Sequence, residues 1–462
     1  MNLCRHRASL PFSRREMLQR SATGFGALAL QAMLSKESRG EVKPPPLPGT
    51  AKRVIFLFMH GGPSTVDLFD PKPLLTRDNG KPFPLKAPRI QSHKSKNLLL
   101  KSPWSCKPHG QSGAQVCDLL PHIASVTDDL CFVRSMHCSN SRHGGALLEL
   151  HTGSDTFVRP SMGSWINYGL GSENDNLPGF ITINPSSGHG GAGAWSPAFL
   201  PAKYGGTQIS GKSGARKVPF IDNPLKDRVK QRKELDLLAS FNRDHLEQRA
   251  YDHDLESRIA SYELAFKMQM EVPGVQDFSQ EPDHIKKLYG ADAGPTKNFG
   301  EQCLMARRFS EAGVRFVQAT HRYWDSHGNL TKEHERLCKE MDQPVAGLIT
   351  DLKQRGLLDE TLVLWGGEFG RTPTAQGKDG RDHNPHGFTM FMAGGGIKPG
   401  TVFGSTDDYG YYATEDKVHF HDLHATILHI LGIDHEKQTY HYAGRDFRLT
   451  DVEGRVVKEI LA

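Results

Sequence analysis

Six short runs of apolar, β-branched and aromatic residues limit what this chain can become: residues 54–59, 130–133, 179–183, 314–318, 362–365 and 388–392. None alternates apolar with polar. A half-exposed strand would alternate, so each run reads as a strand covered on both faces, the condition of a parallel sheet packed between helices. The segments 302–312 and 341–355 have the helical character of crossover connections. The expected class is α/β.

The N-terminus carries a different message. Arg5, Arg7, Arg14, Arg15 and Arg20 precede an apolar stretch from Gly24 to Leu34, and Ser13-Arg14-Arg15-Glu16-Met17-Leu18 has the form of a twin-arginine export signal. The stretch is well short of the ~20 residues needed to span a bilayer, which argues against a stable membrane anchor. Gly24, Gly26 and the Ala-rich spacing leave no polar face for an amphipathic helix. Residues 1–40 are therefore expected to be a signal peptide, 41–50 a linker around Pro44-Pro45-Pro46-Leu47-Pro48, 51–450 one α/β domain and 451–462 a C-terminal tail. The protein would work in the periplasm or outside the cell, delivered by the twin-arginine export machinery.

Of 57 basic residues eight lie in 1–50, and of 52 acidic residues three, so 49 of each remain beyond position 50. The pI of 8.7 is thus largely a property of the signal. It gives no support to nucleic-acid binding. Apart from Cys4 there are six cysteines, at 106, 117, 131, 138, 303 and 338, none in a Cys-x-x-Cys pair. In an oxidising compartment Cys106 and Cys117 are the most plausible local disulfide. Histidine is the informative residue: eight of the 23 lie between His383 and His441.

Residues 224–272 intersperse acids and bases, with no Gly or Pro between Leu225 and Val272, and read as an insertion of one or two long solvated helices. Residues 184–222 are Gly/Ser/Pro-rich and suit a loop region over the sheet edge.

In an open α/β sheet, ligands gather at the carboxyl ends of the strands. Here those positions are rich in metal ligands. His60-Gly61-Gly62 follows the first run, His321 and Trp324-Asp325-Ser326-His327 follow the fourth, and Glu368-Phe369-Gly370-Arg371 follows the fifth. Arg381-Asp382-His383-Asn384-Pro385-His386 precedes the last. Imidazole and carboxylate without thiolate favour zinc, manganese, iron or nickel over a soft-metal site, and so many carboxylates leave room for two ions.

The C-terminal third, with Thr361-Leu362-Val363-Leu364-Trp365-Gly366-Gly367-Glu368, then Met390-Phe391-Met392-Ala393-Gly394-Gly395-Gly396, then Asp422-Leu423-His424-Ala425-Thr426-Ile427-Leu428, resembles sulfatases and other alkaline-phosphatase-like hydrolases. It resembles more closely a family of secreted sulfatase-like proteins with twin-arginine signals and uncharacterised activity. The resemblance runs over residues 50–450 and is weakest across 184–300. It implies a mostly parallel sheet sandwiched between helices, a site for one or two divalent ions (zinc, manganese, iron, nickel or calcium), and a nucleophile at a helix N-terminus that acts on a sulfate or phosphate ester of a small molecule or glycan. His60 stands where active relatives end their first strand in aspartate. Glu368-Phe369-Gly370 replaces Asp-His-Gly, so Phe369 cannot ligate. Asp325-Ser326-His327 approximates the motif on the middle strand, and His383 or His386 meets the later histidine.

Relatives place the nucleophile nine residues before a helix-closing Thr-Gly. Counting back from Thr152-Gly153 reaches His143, which fits a nucleophile, a base or a ligand, and equally a simple helix cap. Cys138-Ser139-Asn140-Ser141-Arg142 resembles the sulfatase signal for formylglycine, but Asn140 replaces its proline and the spacing is wrong. Arg371 and Arg381 suit either of two roles, grip on an anionic substrate or neutralisation of a neighbouring carboxylate. The expected function is an exported metal-dependent ester hydrolase, with His143 catalytic and His60, Asp325, His327, Glu368, His383 and His386 around the metal. The alternative is a non-catalytic binding protein that kept the fold.

Overall fold

A computed structural model describes residues 47–85, 97–186, 188–212, 227–247 and 253–462. The expected signal over 1–40 and most of the proline tract lie outside the described residues, as do 224–226 and 248–252 of the charged insertion.

All six apolar runs become strands of one sheet. Its strands are β1 (Arg53–Met59), β2 (Cys131–His137), β3 (Phe180–Ile183), β4 (Thr207–Ile209), β5 (Phe316–His321), β6 (Thr361–Gly366), β7 (Phe388–Ala393), β8 (Thr401–Phe403) and β9 (Val418–His419). Their spatial order is β8-β2-β7-β6-β1-β5-β3-β4, with β9 also paired to β2. Every pairing is parallel except the two made by β7, which runs against β6 and β2. That reversal has a consequence for the site. The segment before β7 lies at the same edge as the segments after the other strands.

Alternate residues of β1 enter separate cores. Ile55, Leu57 and Met59 pack with Leu304, Leu337, Met341 and Ile349, whereas Val54, Phe56 and Phe58 pack with Leu147, Trp165 and Ile427. The helices supplying these layers are α1 (His143–Thr152), α2 (Met162–Leu170), α5 (Lys297–Glu311), α6 (Leu330–Gln354) and α7 (Phe420–Ile430); between α2 and α5, the charged insertion forms α3 (Arg228–Glu247) and α4 (His253–Gln276). Helix α6 starts earlier than the apolar run at 341 suggests. Leu330, His334, Leu337, Cys338, Met341 and Val345 are all buried, so the helical stripe begins among polar residues. Helix α4 continues past Pro273 to Gln276. The Gly/Ser-rich region contributes the edge strand β4, paired with β3 from Ile181↔Thr207 to Ile183↔Ile209.

At the C-terminus Val457 and Ile460 join the second core, and the amide of Ala462 donates to Gly396 O at 2.9 Å. Among the described residues no helix is long and apolar enough to cross a membrane.

Candidate metal centre

The site begins with helix α1. Gly153, in the left-handed region at φ 69°, closes its C-terminus, and its first residue is His143, presented by the loop that leaves β2. Across from it, β5 ends at His321 and the chain turns through Trp324 into Asp325 and His327. The hairpin formed by Gly370–Gln376 and Gly380–Asn384 stands before β7 and brings His383 opposite Arg371. Three distant segments thus meet at one sheet edge.

They meet on a single atom. Asp325 Oδ1 lies 3.2 Å from His143 Nε2, 3.0 Å from His327 Nε2 and 3.3 Å from His383 Nε2. These four side chains offer ligand atoms that all lie within 4.8 Å of one another. Arg371, its side chain wholly buried, donates to the same oxygen at 2.8 Å and to the carbonyl of Gly62 at 2.8 Å.

The remaining ring nitrogens decide where the protons sit. His143 Nδ1 is 2.8 Å from Glu368 Oε1, His383 Nδ1 is 2.7 Å from the carbonyl of Ser141, and His327 Nδ1 faces Gln376 Oε1. Each of those partners only accepts, so each Nδ1 carries the hydrogen and each neutral ring turns the lone pair of Nε2 towards Asp325. Four acceptors then face one another, and His143 Nε2 is buried without a hydrogen-bond partner. A divalent cation fits that arrangement, with outer partners of the kind that orient metal-ligating histidines. Without one, protons must take its place. Burial opposes charge on His143, yet its bonds to Asp325 and Glu368 prevail and raise its pKa to about 9. Burial alone would lift the Asp325 carboxyl, but the three imidazoles and Arg371 hold it far below the usual range.

Two further expected residues stand beside this group. Glu368 is fully buried; its carboxylate accepts the amide of Gly61 at 3.0 and 3.1 Å and orients His143. His60 has its ring 6.4 Å from that of His143, its Nε2 is enclosed without a partner, and burial lowers its pKa. The others lie apart. His386 packs against Tyr411 and Tyr412, 5.5 Å from each ring. Arg381 is buried with Nε and Nη2 each 2.8 Å from the Asp67 carboxylate, so its charge is taken up by a carboxylate. Arg371 likewise serves Asp325. Cys138 is buried, its thiol against the carbonyls of Glu368 and Asn140, and burial pushes its pKa well up. Phe369 stacks on His383 with ring centroids 4.4 Å apart.

A profile of the family described as "Protein of unknown function (DUF1501)" matches residues 51–461. The chain belongs to that family. No curated protein matches the DUF1501 chain. Among solved structures, it is similar to the lipoteichoic acid synthase LtaP from Listeria monocytogenes, at 9% identity and TM-score 0.38 over 89% of this chain and 78% of that one. It is also similar to the PsFucS1 sulfatase from Pseudoalteromonas sp., at 12% identity and TM-score 0.36 over 92% and 73%. A third is alkaline phosphatase from the Antarctic bacterium TAB5, at 10% identity and TM-score 0.34 over 83% and 98%.

Sequence reasoning missed one histidine of the DUF1501 chain's site. His189 is exposed, at φ 36°, and its ring lies 4.8 Å from His143 and 6.0 Å from His60. The signal was there in Ser187-Gly188-His189-Gly190-Gly191, a lone histidine in a glycine-rich loop. Arg322, just past β5, was missed too; its Nη2 donates to the carbonyl of Asn184 at 3.0 Å, and its charge lowers the pKa of His60.

Proposed function

We propose that this protein is an exported, metal-dependent hydrolase of sulfate or phosphate esters, with Asp325, His327 and His383 as metal ligands and His143 as the reacting group. The observation that carries the reading is the convergence of the His327 and His383 Nε2 atoms on Asp325 Oδ1, with the Nε2 of His143 buried and unpartnered beside them. A bound divalent ion would polarise an ester oxygen and draw negative charge to the site. The chain's own groups do the rest. Glu368 holds the Nδ1 hydrogen of His143 and leaves Nε2 free to take a proton from the water that displaces the ester's alcohol, or to displace that alcohol itself and be released by water in a second step, the division of labour of a carboxylate–histidine pair. Arg371 fixes Asp325. His189, exposed beside His143, and Arg322, half-buried just past β5, suit contact with the anionic ester of a small molecule or glycan. Residues 1–40 direct export through the twin-arginine route, so the protein would fold and acquire its ion before leaving the cytoplasm.

Bound metal in the purified mature chain, release of sulfate and phosphate from aryl esters, and the variants Asp325→Ala and His60→Ala test this. Asp325→Ala should lose the ion and lower kcat/KM by roughly 10²–10³-fold, the scale of losing a main electrostatic element of a site. No bound ion, or turnover that survives both substitutions, overturns the reading. An ion held without turnover assigns the chain to the non-catalytic alternative. Export is tested separately: Arg14→Lys with Arg15→Lys should retain the precursor in the cytoplasm.

A further inference from the structure

The C-terminal segment builds a surface that the proposed chemistry does not use. The chain reverses at Ala443 and Gly444, φ 50° and 82°, two left-handed residues that make a tight hairpin turn between the strands Tyr440–Tyr442 and Arg445–Phe447. Side chains alternate across the pair. Tyr440, Tyr442, Arg445 and Phe447 therefore share one face, while His441 and Asp446, 2.7 Å apart, take the other.

The shared face packs on Phe199. That ring is near-parallel to both tyrosines, with centroids 6.0 Å from Tyr440 and 4.9 Å from Tyr442 and interplanar angles of 19° and 14°; Phe447 lies 4.9 Å away. From Phe447 the surface continues through guanidinium groups. Arg445 stands 4.7 Å from the centroid of Phe447, and Arg159 stands 5.6 Å from the same ring and 5.7 Å from that of Phe157. Asp451 ties the two arginines together, with Oδ2 3.0 Å from Arg159 Nη1 and Oδ1 on Arg445 Nη2.

Two rings of this assembly stay open. Tyr442 is 49% exposed, the exposure of a ring with one face covered by Phe199 and the other bare, and Phe157 is 64% exposed. Phe157 follows Gly153 by four residues, at the far end of α1 and about 15 Å along its axis from His143. Aromatic area left in water on a charged rim marks a place of contact.

The chemistry of the surface selects the partner. A bare ring face beside a guanidinium and a carboxylate suits a molecule that is apolar on its face and polar at its edge. A pyranose has that form: its axial C–H bonds, weakly positive, meet the negative face of an aromatic ring, and its hydroxyls reach donors and acceptors at the rim. Nucleic-acid bases are flat too, but the 49 basic and 49 acidic residues beyond position 50 supply no excess of positive charge for a phosphate backbone. Asp451 engages both arginines, which weakens any pull on an anionic lipid surface.

We propose that this surface binds a glycan chain, one sugar ring stacked on Tyr442 and another on Phe157, as an anchoring site apart from the metal centre. The inference does not rest on the ester-hydrolase reading.

Retardation of the mature protein in native gels containing chondroitin sulfate, alginate, xylan or dextran tests the proposal and separates acidic from neutral chains. At least one of the four should retard the parent. Tyr442→Ala should then weaken binding roughly 10-fold, Phe157→Ala should weaken it as well, and Tyr442→Trp should keep it. Phe157, mostly exposed, can be removed without opening a core, so its variant guards against a loss that reflects misfolding. Retention by none of the four, or retention unchanged in both alanine variants, overturns the proposal. A parental dimer, seen by light scattering and split by Tyr442→Ala, overturns it too, because the surface would then join two copies of the chain. Asp325→Ala should be retarded like the parent; loss of retention there would place the glycan in the metal centre instead. Turnover is not read in this experiment, so failure of the hydrolase reading leaves its outcome unmoved.

Discussion

At the scale of the residue, the site rests on charges that are either shared or sealed. Arg381 illustrates the second. With no exposed side chain and two of its three nitrogens, Nε and Nη2, on Asp67, it neutralises a buried carboxylate, and the pair stands behind the segment that follows β1. Arg381→Ala should strand that carboxylate and cost about 3–5 kcal/mol in denaturant unfolding; a variant of parental stability but raised KM would restore the substrate-gripping role. Cys138 is the opposite case. Its thiol is enclosed and bonded to carbonyls, so Cys138→Ala should leave ester hydrolysis within about 2-fold and cost about 1 kcal/mol. Mass analysis of the parent should find the thiol intact. Which members of the candidate site could be read from the sequence follows from the same distinction. Asp325, His327 and Glu368 stand immediately after strands, where an α/β edge exposes them, and His383 is carried to that edge by a hairpin. His386 lies two residues past the end of the Gly380–Asn384 strand, and the chain has already turned towards Tyr411. His189 carried no such positional mark, because a loop residue reaches a site through tertiary contacts alone.

At the scale of the element, the six apolar runs were legible because a strand buried on both faces has no polar alternation to hide it. The strands 207–209, 401–403 and 418–419 were not, being two or three residues long and held by the neighbour they pair with. The direction of β7 was equally hidden, since an antiparallel strand in a covered sheet has the same composition as a parallel one. The hairpin of Cys106–His109 and Ala114–Cys117 allows a sharper expectation. Cys106 and Cys117 are direct partners across it, and the bond from the Asp118 amide to the Ser105 carbonyl, 2.9 Å, marks the next rung as the hydrogen-bonded one. The cysteines therefore occupy a non-hydrogen-bonded rung, where Cα atoms approach to about 4.5 Å, within reach of a disulfide. Protein from an oxidising compartment should show these two peptides cross-linked. Reduction of a loop this short should cost about 3 kcal/mol. Both cysteines alkylated without prior reduction would end the idea.

At the scale of the whole molecule, the buried histidines couple stability to pH. His334, between α6 and the segment after β1, accepts the amide of Ser64 on Nε2 at 3.0 Å; His424, on α7, lies 2.7 Å from the carbonyl of Leu150 on α1. Burial pushes each down to a pKa of about 3. In the unfolded chain both return to about 6.5. Above pH 6.5 neither state binds the proton and the full stability is present. As pH falls below 6.5 the unfolded chain takes up protons that the folded one refuses, and the loss continues until the folded pKa is reached. Each group then costs about 1.4 kcal/mol per pH unit, so the two together remove roughly 5 kcal/mol between pH 6.5 and 4.5. That is a large part of a domain's usual 5–15 kcal/mol. Denaturant midpoints should therefore fall steeply across this window in metal-free protein, and His424→Gln should remove its own share of the slope, about 1.4 kcal/mol per pH unit. A profile level from pH 7 to 4.5 would mean that these rings accept protons in place, and that the contacts joining α7 to α1 are looser than the buried geometry implies.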